Sequence, residues 1–260
     1  MILTGDDLLA LKDAKCLLEN PGFALRVINF FGKAVEKILY DELPDKARNF
    51  ITRISRKSLE KVLNIALFTM NNEVQKPSKE NLHLAAVTAT GTIGGFLGLP
   101  GLAVELPIST TIIFRSIADI ARSQGEQLST PEAKLACLEV FALGGRSHTN
   151  EEADSSYFAI RGALAKYVSG SIEYMAGTEL VQTSGPALVR LISQLSSRFG
   201  ITVSEKAVAQ AVPAIGALGG GLINVLFIDH FQNMARGHFI VRRLERKYSP
   251  EFIRNEYLKC

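Results

Sequence analysis

Apolar residues recur along this chain at intervals of three and four, not two. Over residues 24–40, Leu25, Ile28, Phe31, Val35, Ile38 and Leu39 fall on one side of a helix, with Arg26, Lys33 and Glu36 mostly elsewhere. Pro44 opens a second helix whose buried stripe is Ala47, Ile51, Ile54, Val62 and Ile65, and Asp45 near its start suits the helix dipole. Another stripe runs through Tyr157, Ile160, Leu164, Val168, Ile172 and Met175. Thr130-Pro131-Glu132 and Ser249-Pro250-Glu251 each join a capping hydroxyl, a proline and a first-turn acid, the signature of a helix start. No segment alternates with a period of two over five or more residues. The pattern predicts an all-α chain of about nine helices. A compact helical domain over 76–260 is expected to follow an N-terminal helical extension over 1–75, the two packing as one unit.

Two regions depart from the amphipathic norm. Asn81 to Val104 contains no Asp, Glu, Lys or Arg, and neither does Ala207 to Ile228. Each reaches the roughly 20 residues needed to cross a bilayer. Each is also interrupted, the first by Pro100 and Gly101 and, in the 81–114 stretch whose one charge is Glu105, by Pro107, the second by Pro213 and Gly219-Gly220-Gly221. Gly91, Gly94, Gly95 and Gly98 cluster in the first region, and Gly216, Gly219, Gly220 and Gly221 in the second. Glycine inside a helix is about 1 kcal/mol worse than alanine, so each cluster costs about 3–4 kcal/mol in propensity. Close packing must recover that. Small residues four apart let another helix backbone approach, so the two clusters are expected to face each other, a bilayer or an acyl chain.

Residues 91–126, with their Gly-rich apolar helix, short turn and second helix carrying Arg115 and Ile117-Ala118, resemble the first signature of the EcsC family. Residues 135–145 resemble its Leu-Glu-Val segment. Residues 207–246, with Pro213, Ile215-Gly216-Ala217, Asn224 and a basic helix, resemble its C-terminal signature. Ser123-Gln124-Gly125 departs from the pattern, which often has an aromatic before that glycine. The resemblance spans roughly 80 to 248. It implies a bacterial, membrane-associated protein with no established activity, and leaves room for a membrane-protein partner.

Composition narrows the chemistry. The chain has 260 residues, 47% hydrophobic and 21% charged, with a formal net charge of +3. That is too little charge to imply nucleic acid, and no aromatic interleaving or major-groove motif accompanies it. Cys16, Cys137 and Cys260 are odd in number and form no CxxC pair, so neither a disulfide framework nor a zinc site is expected. They suit a reducing compartment. Neither end reads as a signal peptide or a prenylation box. His83, His148, His230 and His238 lack ligand spacing, and Asp119, Asp229 and His230 make no metal motif. The glycine clusters follow no strand and meet no GK[ST] or GxGxxG pattern, so no cofactor is expected. The loop Gly144-Gly145-Arg146-Ser147-His148, with Asp154 after it, offers the residue types of acyl transfer but no nucleophile elbow. It reads as a helix end and a loop.

Polar residues in or beside the uncharged runs are candidates for buried polar contacts: Glu105, Arg115, Asp119, Asn224, Asp229 and His230, with Arg115 expected to pair with Glu105 or Asp229. Two basic helices remain. Lys46, Arg53 and Lys57 stand on one face of the first. Arg236, Arg242, Arg243, Arg246 and Lys247 lie on the second, beside an apolar seam of Met234, Gly237, Val241, Leu244 and Tyr248. Anionic membrane surfaces attract such helices at about 1 kcal/mol per cation. The leading expectation is therefore a non-catalytic protein peripheral to the cytoplasmic membrane. It would meet acyl chains through the Gly-rich helices and phosphate headgroups through the basic ones. A soluble adaptor or oligomer with internal apolar helices is the alternative. A hydrolase built on residues 144–156 is a third.

Overall fold

Proline opens four of the nine described helices. The computed structural model describes residues 2–19, 23–31, 43–70, 98–144, 157–178, 181–211 and 213–260. They form α1 (Gly5–Glu19), α2 (Phe23–Phe31), α3 (Asp45–Thr69), α4 (Gly98–Ser123), α5 (Pro131–Glu139) running into a 3₁₀ turn (Val140–Ala142), α6 (Tyr157–Ala176), α7 (Pro186–Ala211), α8 (Pro213–Lys247) and α9 (Pro250–Lys259). There is no strand among the described residues, and the chain is all-α. Pro131, Pro186, Pro213 and Pro250 each occupy the first helical position, where the missing N–H has no partner to lose. Both predicted caps form: Thr130 Oγ1 accepts from the Ala133 N–H and Ser249 Oγ from the Phe252 N–H, each at 3.2 Å. Pro107 is the exception, inside α4. In the turn after it the Thr110 and Thr111 hydroxyls donate back to Leu106 O and Pro107 O at 2.6 and 2.8 Å, the usual i−4 back-bonds of hydroxyl side chains in a helix.

The second uncharged run is not one helix. α7 ends at Ala211 and Pro213 starts α8, so residues 207–228 are divided between two elements. Of the first run, only residues from 98 onward are described, as the opening turns of α4.

α8 is the axis of the fold. Its 35 residues span about 52 Å, and α1, α2, α4, α7 and α9 all pack on it. At its middle, rings from four elements meet edge to face or tilted. Phe227 lies 5.4 Å from Phe23 of α2 and 5.1 Å from Phe231, and Phe141 of the 3₁₀ turn is 5.2 Å from Phe199 of α7. Each such pair adds about 0.5–1.5 kcal/mol beyond its area burial.

The N-terminal helices belong to this core. α1 and α2 lie on α8, while α3 packs on α4 and α7. Leu11, Ala14, Val27, Ile51, Leu59 and Val62 join one apolar cluster with Phe199 and Phe231. Among the described side chains of α2, Phe23, Ala24 and Val27 are buried and Ile28 is half-buried; Leu25 and Phe31 of the predicted stripe lie outside them.

Candidate functional site

α3 buries one face and leaves the other cationic. Ile51, Ile54, Leu59, Val62, Leu63 and Ala66 are buried, together with Ser55 and Ser58. Lys46, Arg53 and Lys57 are exposed, and Lys61 continues their row. Spacings of seven and four keep the first three on one side of the helix, and Phe68, eleven residues past Lys57, stands on that side too. Phe68 is 69% exposed. Acids do little to cancel the row: Asp45 is at its N-terminal end, and Glu60 pairs with Arg56 at 2.9 Å. From Lys46 to Phe68 the stripe runs about 33 Å. Lys134 Nζ donates to Leu67 O at 3.3 Å, fixing the end of α3 to α5.

Arg236, Arg242, Arg246 and Lys247 of α8 are engaged within the protein. α4 ends in a Schellman motif: the Gly125 N–H donates to Arg122 O and the Glu126 N–H to Ala121 O, both at 3.0 Å. Gly125 sits at φ 85°, a conformation open to glycine and strained for most other residues. This turn delivers Glu126 to α8. Arg242 grips it with two hydrogen bonds, Nε to Oε1 at 2.9 Å and Nη2 to Oε2 at 3.2 Å. Arg246 also donates to Glu126 Oε1, and to Gln124 O at 2.7 Å. Burial alone would push the Glu126 carboxyl up, but the two guanidiniums hold it below the ordinary carboxylate range. Lys247 donates to Asp7 Oδ2 at 2.6 Å. Arg236 donates to Asn233 Oδ1 at 2.5 Å. Arg243 is exposed on this helix.

The polar residues beside the uncharged runs are arranged differently from expectation. Glu105 pairs with Lys206 of α7, Nζ to Oε1 at 2.7 Å, with side chains 3% and 0% exposed. Arg115 is exposed and pairs with neither Glu105 nor Asp229. Ten residues of one helix, about 15 Å, separate it from Glu105, which no side chain spans. Burial opposes ionisation of both Glu105 and Lys206. The Lys206 charge nevertheless holds Glu105 low, aided by Asn224 and Ser109, while burial lowers Lys206. Lys206 Nζ also lies 4.4 Å from the Phe227 ring centre. Asp119 accepts from Arg122 at 2.8 Å, and Asp229 pairs with Arg26 of α2. His230 is buried, and its imidazole is pushed down to about 3 by desolvation and then by Arg26.

Gly98 opens α4, and Gly216, Gly219 and Gly220 lie in the first turns of α8. Gly91, Gly94, Gly95 and His83 lie outside the described residues, as do Ser147, His148 and Asp154 of the loop. That loop leaves from Gly144, at φ 76°, where a Cβ would fall 2.5 Å from the His230 ring. Among the described residues no three His, Cys, Asp or Glu side chains could together hold a metal ion.

Several placed groups escaped the sequence reading. Arg161 forms a bidentate pair with Glu245 at 2.7 and 3.1 Å. The Tyr157 hydroxyl lies 2.9 Å from His238 Nδ1. Glu139 and Glu205 are buried carboxyls, pushed up by desolvation to about 7 and about 8. The Arg161–Glu245 and Tyr157–His238 partners lie 84 and 81 residues apart in sequence, and no local spacing signals them. Phe68 had a signal, because it continues the Lys46–Lys57 face.

The sequence model of the EcsC protein family matches residues 24–244. No curated protein and no solved structure matches the chain. Among the described residues one helical stretch, Pro100–Ser123, is long and apolar enough to cross a bilayer, and 61% of its most apolar window is buried inside the protein.

Proposed function

The chain belongs to the EcsC protein family, and from that premise we propose that it is a non-catalytic protein that binds anionic membrane surfaces peripherally. The observation that carries this reading is the outer face of α3. Lys46, Arg53, Lys57 and Lys61 form an exposed row, little compensated by acids, that ends on the exposed Phe68. Laid against an anionic surface, this face sets its cations at the lipid phosphates and the Phe68 ring at the headgroup level, while the apolar face of the helix stays inside the fold. At about 1 kcal/mol per cation near the surface, the row supplies about 4 kcal/mol of attraction, screened over about 8 Å at physiological salt. The glycine-rich turns that begin α4 and α8 are the acyl-compatible part of the proposal.

Flotation with phosphatidylcholine vesicles, with and without phosphatidylserine, tests it. The wild type should float with the anionic vesicles only, and less at high salt. The double variant Arg53→Glu/Lys57→Glu should stay at the bottom of the gradient. Equal flotation of the variant and the wild type would remove α3 from the mechanism.

The second reading is a soluble helical adaptor. Its supporting observation is the burial of most of the Pro100–Ser123 stretch, which gives the apolar helix an occupation inside the fold. Absence of flotation with either vesicle, from a monodisperse protein, favours the adaptor.

A further inference from the structure

α1 lies along the C-terminal half of α8, and both ends of that contact are pinned. At one end, a Cβ on Gly237 would stand 2.6 Å from Leu18 Cγ and 3.0 Å from Ala14 O, so only glycine admits α1 this close. At the other, Asp7 Oδ2 accepts from Lys247 Nζ at 2.6 Å and from the Tyr248 hydroxyl at 2.7 Å. The Thr4 N–H donates to the same hydroxyl at 3.3 Å. Leu18 and Asp7 are as far apart in sequence as Gly237 and Tyr248, so the two helices run antiparallel. Val241 and Leu244 share the face of Gly237 and Tyr248 and lie between the two anchors. Leu11 and Ala14 cover that interval from the α1 side, and all four residues are buried.

The face beneath α1 is the amphipathic seam of Met234, Gly237, Val241, Leu244 and Tyr248, flanked by Lys247. α1 offers it what a bilayer interface would offer: apolar side chains along the seam and a carboxylate on the adjacent ammonium. We propose that this face of α8 is a second, latent membrane-binding surface, and that α1 is its built-in cover, displaced when the chain meets an anionic bilayer. The inference rests on the reading that the chain binds such bilayers at all. The attachment of α1 suits a cover. Of its 15 residues only Leu11, Ala14 and Leu18 are buried. Beyond them it is held by the Asp7 contacts, by Lys15, which donates to Tyr257 O of α9 at 3.1 Å, and by Glu19, whose carboxylate interacts with the Tyr257 side chain. The Lys247 side chain is 55% exposed, so lipid phosphate can reach it and compete with Asp7. The EcsC match begins after α1, at residue 24.

Hydrogen exchange of the full chain, free and bound to phosphatidylcholine–phosphatidylserine vesicles, tests the displacement directly. Amides of residues 5–19 should exchange at least about tenfold faster in the bound protein. A charge-matched pair of variants supplies the second arm. Asp7→Asn frees Lys247, whereas Asp13→Asn removes the same charge from an exposed position of α1. Asp7→Asn should bind anionic vesicles about fivefold more tightly than Asp13→Asn, the gain of one released cation. Unchanged protection of residues 5–19 on vesicles, or equal affinities for the two variants, would overturn the proposal. If Arg53→Glu/Lys57→Glu still binds while α1 opens, the role of α3 falls and the latent surface stands. If that variant loses binding and α1 stays protected in the bound wild type, the reverse holds. If the wild type binds no vesicles, both fall.

Discussion

α3 and the last turns of α8 carry similar densities of Lys and Arg, and each sets them beside apolar residues. In the fold they have opposite fates. α3 packs on α4 and α7 through its apolar face, and no acid from another element is placed against Lys46, Arg53 or Lys57 among the described residues. α8 runs through the middle of the fold, so neighbouring elements deliver acids to it: Glu126 from the α4 cap to Arg242 and Arg246, Asp7 from α1 to Lys247. The lesson concerns desolvation. A cation that loses water on folding needs an internal partner, and a central helix strips water from its side chains where a peripheral one does not. Charge density alone therefore does not say which helix faces an anionic surface.

The limiting case of a withheld cation is Lys206, and there the largest effect is expected. Lys206→Met leaves Glu105 buried without its counter-charge and should destabilise the protein by about 3–5 kcal/mol in urea unfolding. Adding Glu105→Leu should restore most of the loss, because two apolar side chains replace two desolvated charges. Were the double variant as unstable as the single one, the pair would not be acting through its charges.

Arg242 comes next. Arg242→Gln removes the bidentate grip on Glu126 and should cost about 2 kcal/mol, with little change in vesicle binding, because its side chain is only 21% exposed. A loss of anionic binding at unchanged stability would reverse the comparison and make α8 the contact helix.

The buried carboxyls sharpen the same contrast through pH. Glu205 holds its proton in the fold up to about 8, against 4.5 for an ordinary glutamate. Desolvation is the cause, and the hydrogen bond from the Ala24 backbone opposes it. Between those values the folded state binds the extra proton. The stabilisation is therefore fully present below about 4.5 and is lost as pH rises through about 8, at up to about 1.4 kcal/mol per pH unit. His230 works the other way: held neutral down to about 3 against 6.5, it contributes stability above 6.5 that is lost as pH falls through about 3. Urea melts from pH 6.5 to 8, above the His230 window, should lose less stability with rising pH in Glu205→Gln than in the wild type. Parallel slopes would mean that Glu205 is not the proton site.

The smallest stability effect belongs to α3. Arg53→Glu/Lys57→Glu should shift unfolding by no more than about 0.5 kcal/mol, since both side chains are exposed. A larger shift would reveal internal partners for these cations and would erase the difference between the two helices.

The legible parts of this molecule were those governed by neighbours in sequence. Spacings of three and four, capping hydroxyls and helix-opening prolines depend on residues within a turn or two, and the helix starts at Pro131 and Pro250 follow from them. The Lys46–Lys57 face was equally legible, because helical geometry alone puts those residues together. Phe68 extends the same face and could have been included on the same grounds. The pairing of buried charges was not legible. Glu105 was singled out, but its partner Lys206 lies 101 residues away on another helix, while the nearer Arg115 points to solvent.

By itself, then, the sequence determined that the chain is helical, where several of its helices begin, and which family it belongs to. Each of those rests on local periodicity or on an ordered set of motifs. Only the tertiary structure decided which cations are exposed and which are neutralised from within. That outcome depends on which helix becomes the desolvated axis and which acids distant segments carry to it, and neither is encoded in any single stretch of residues.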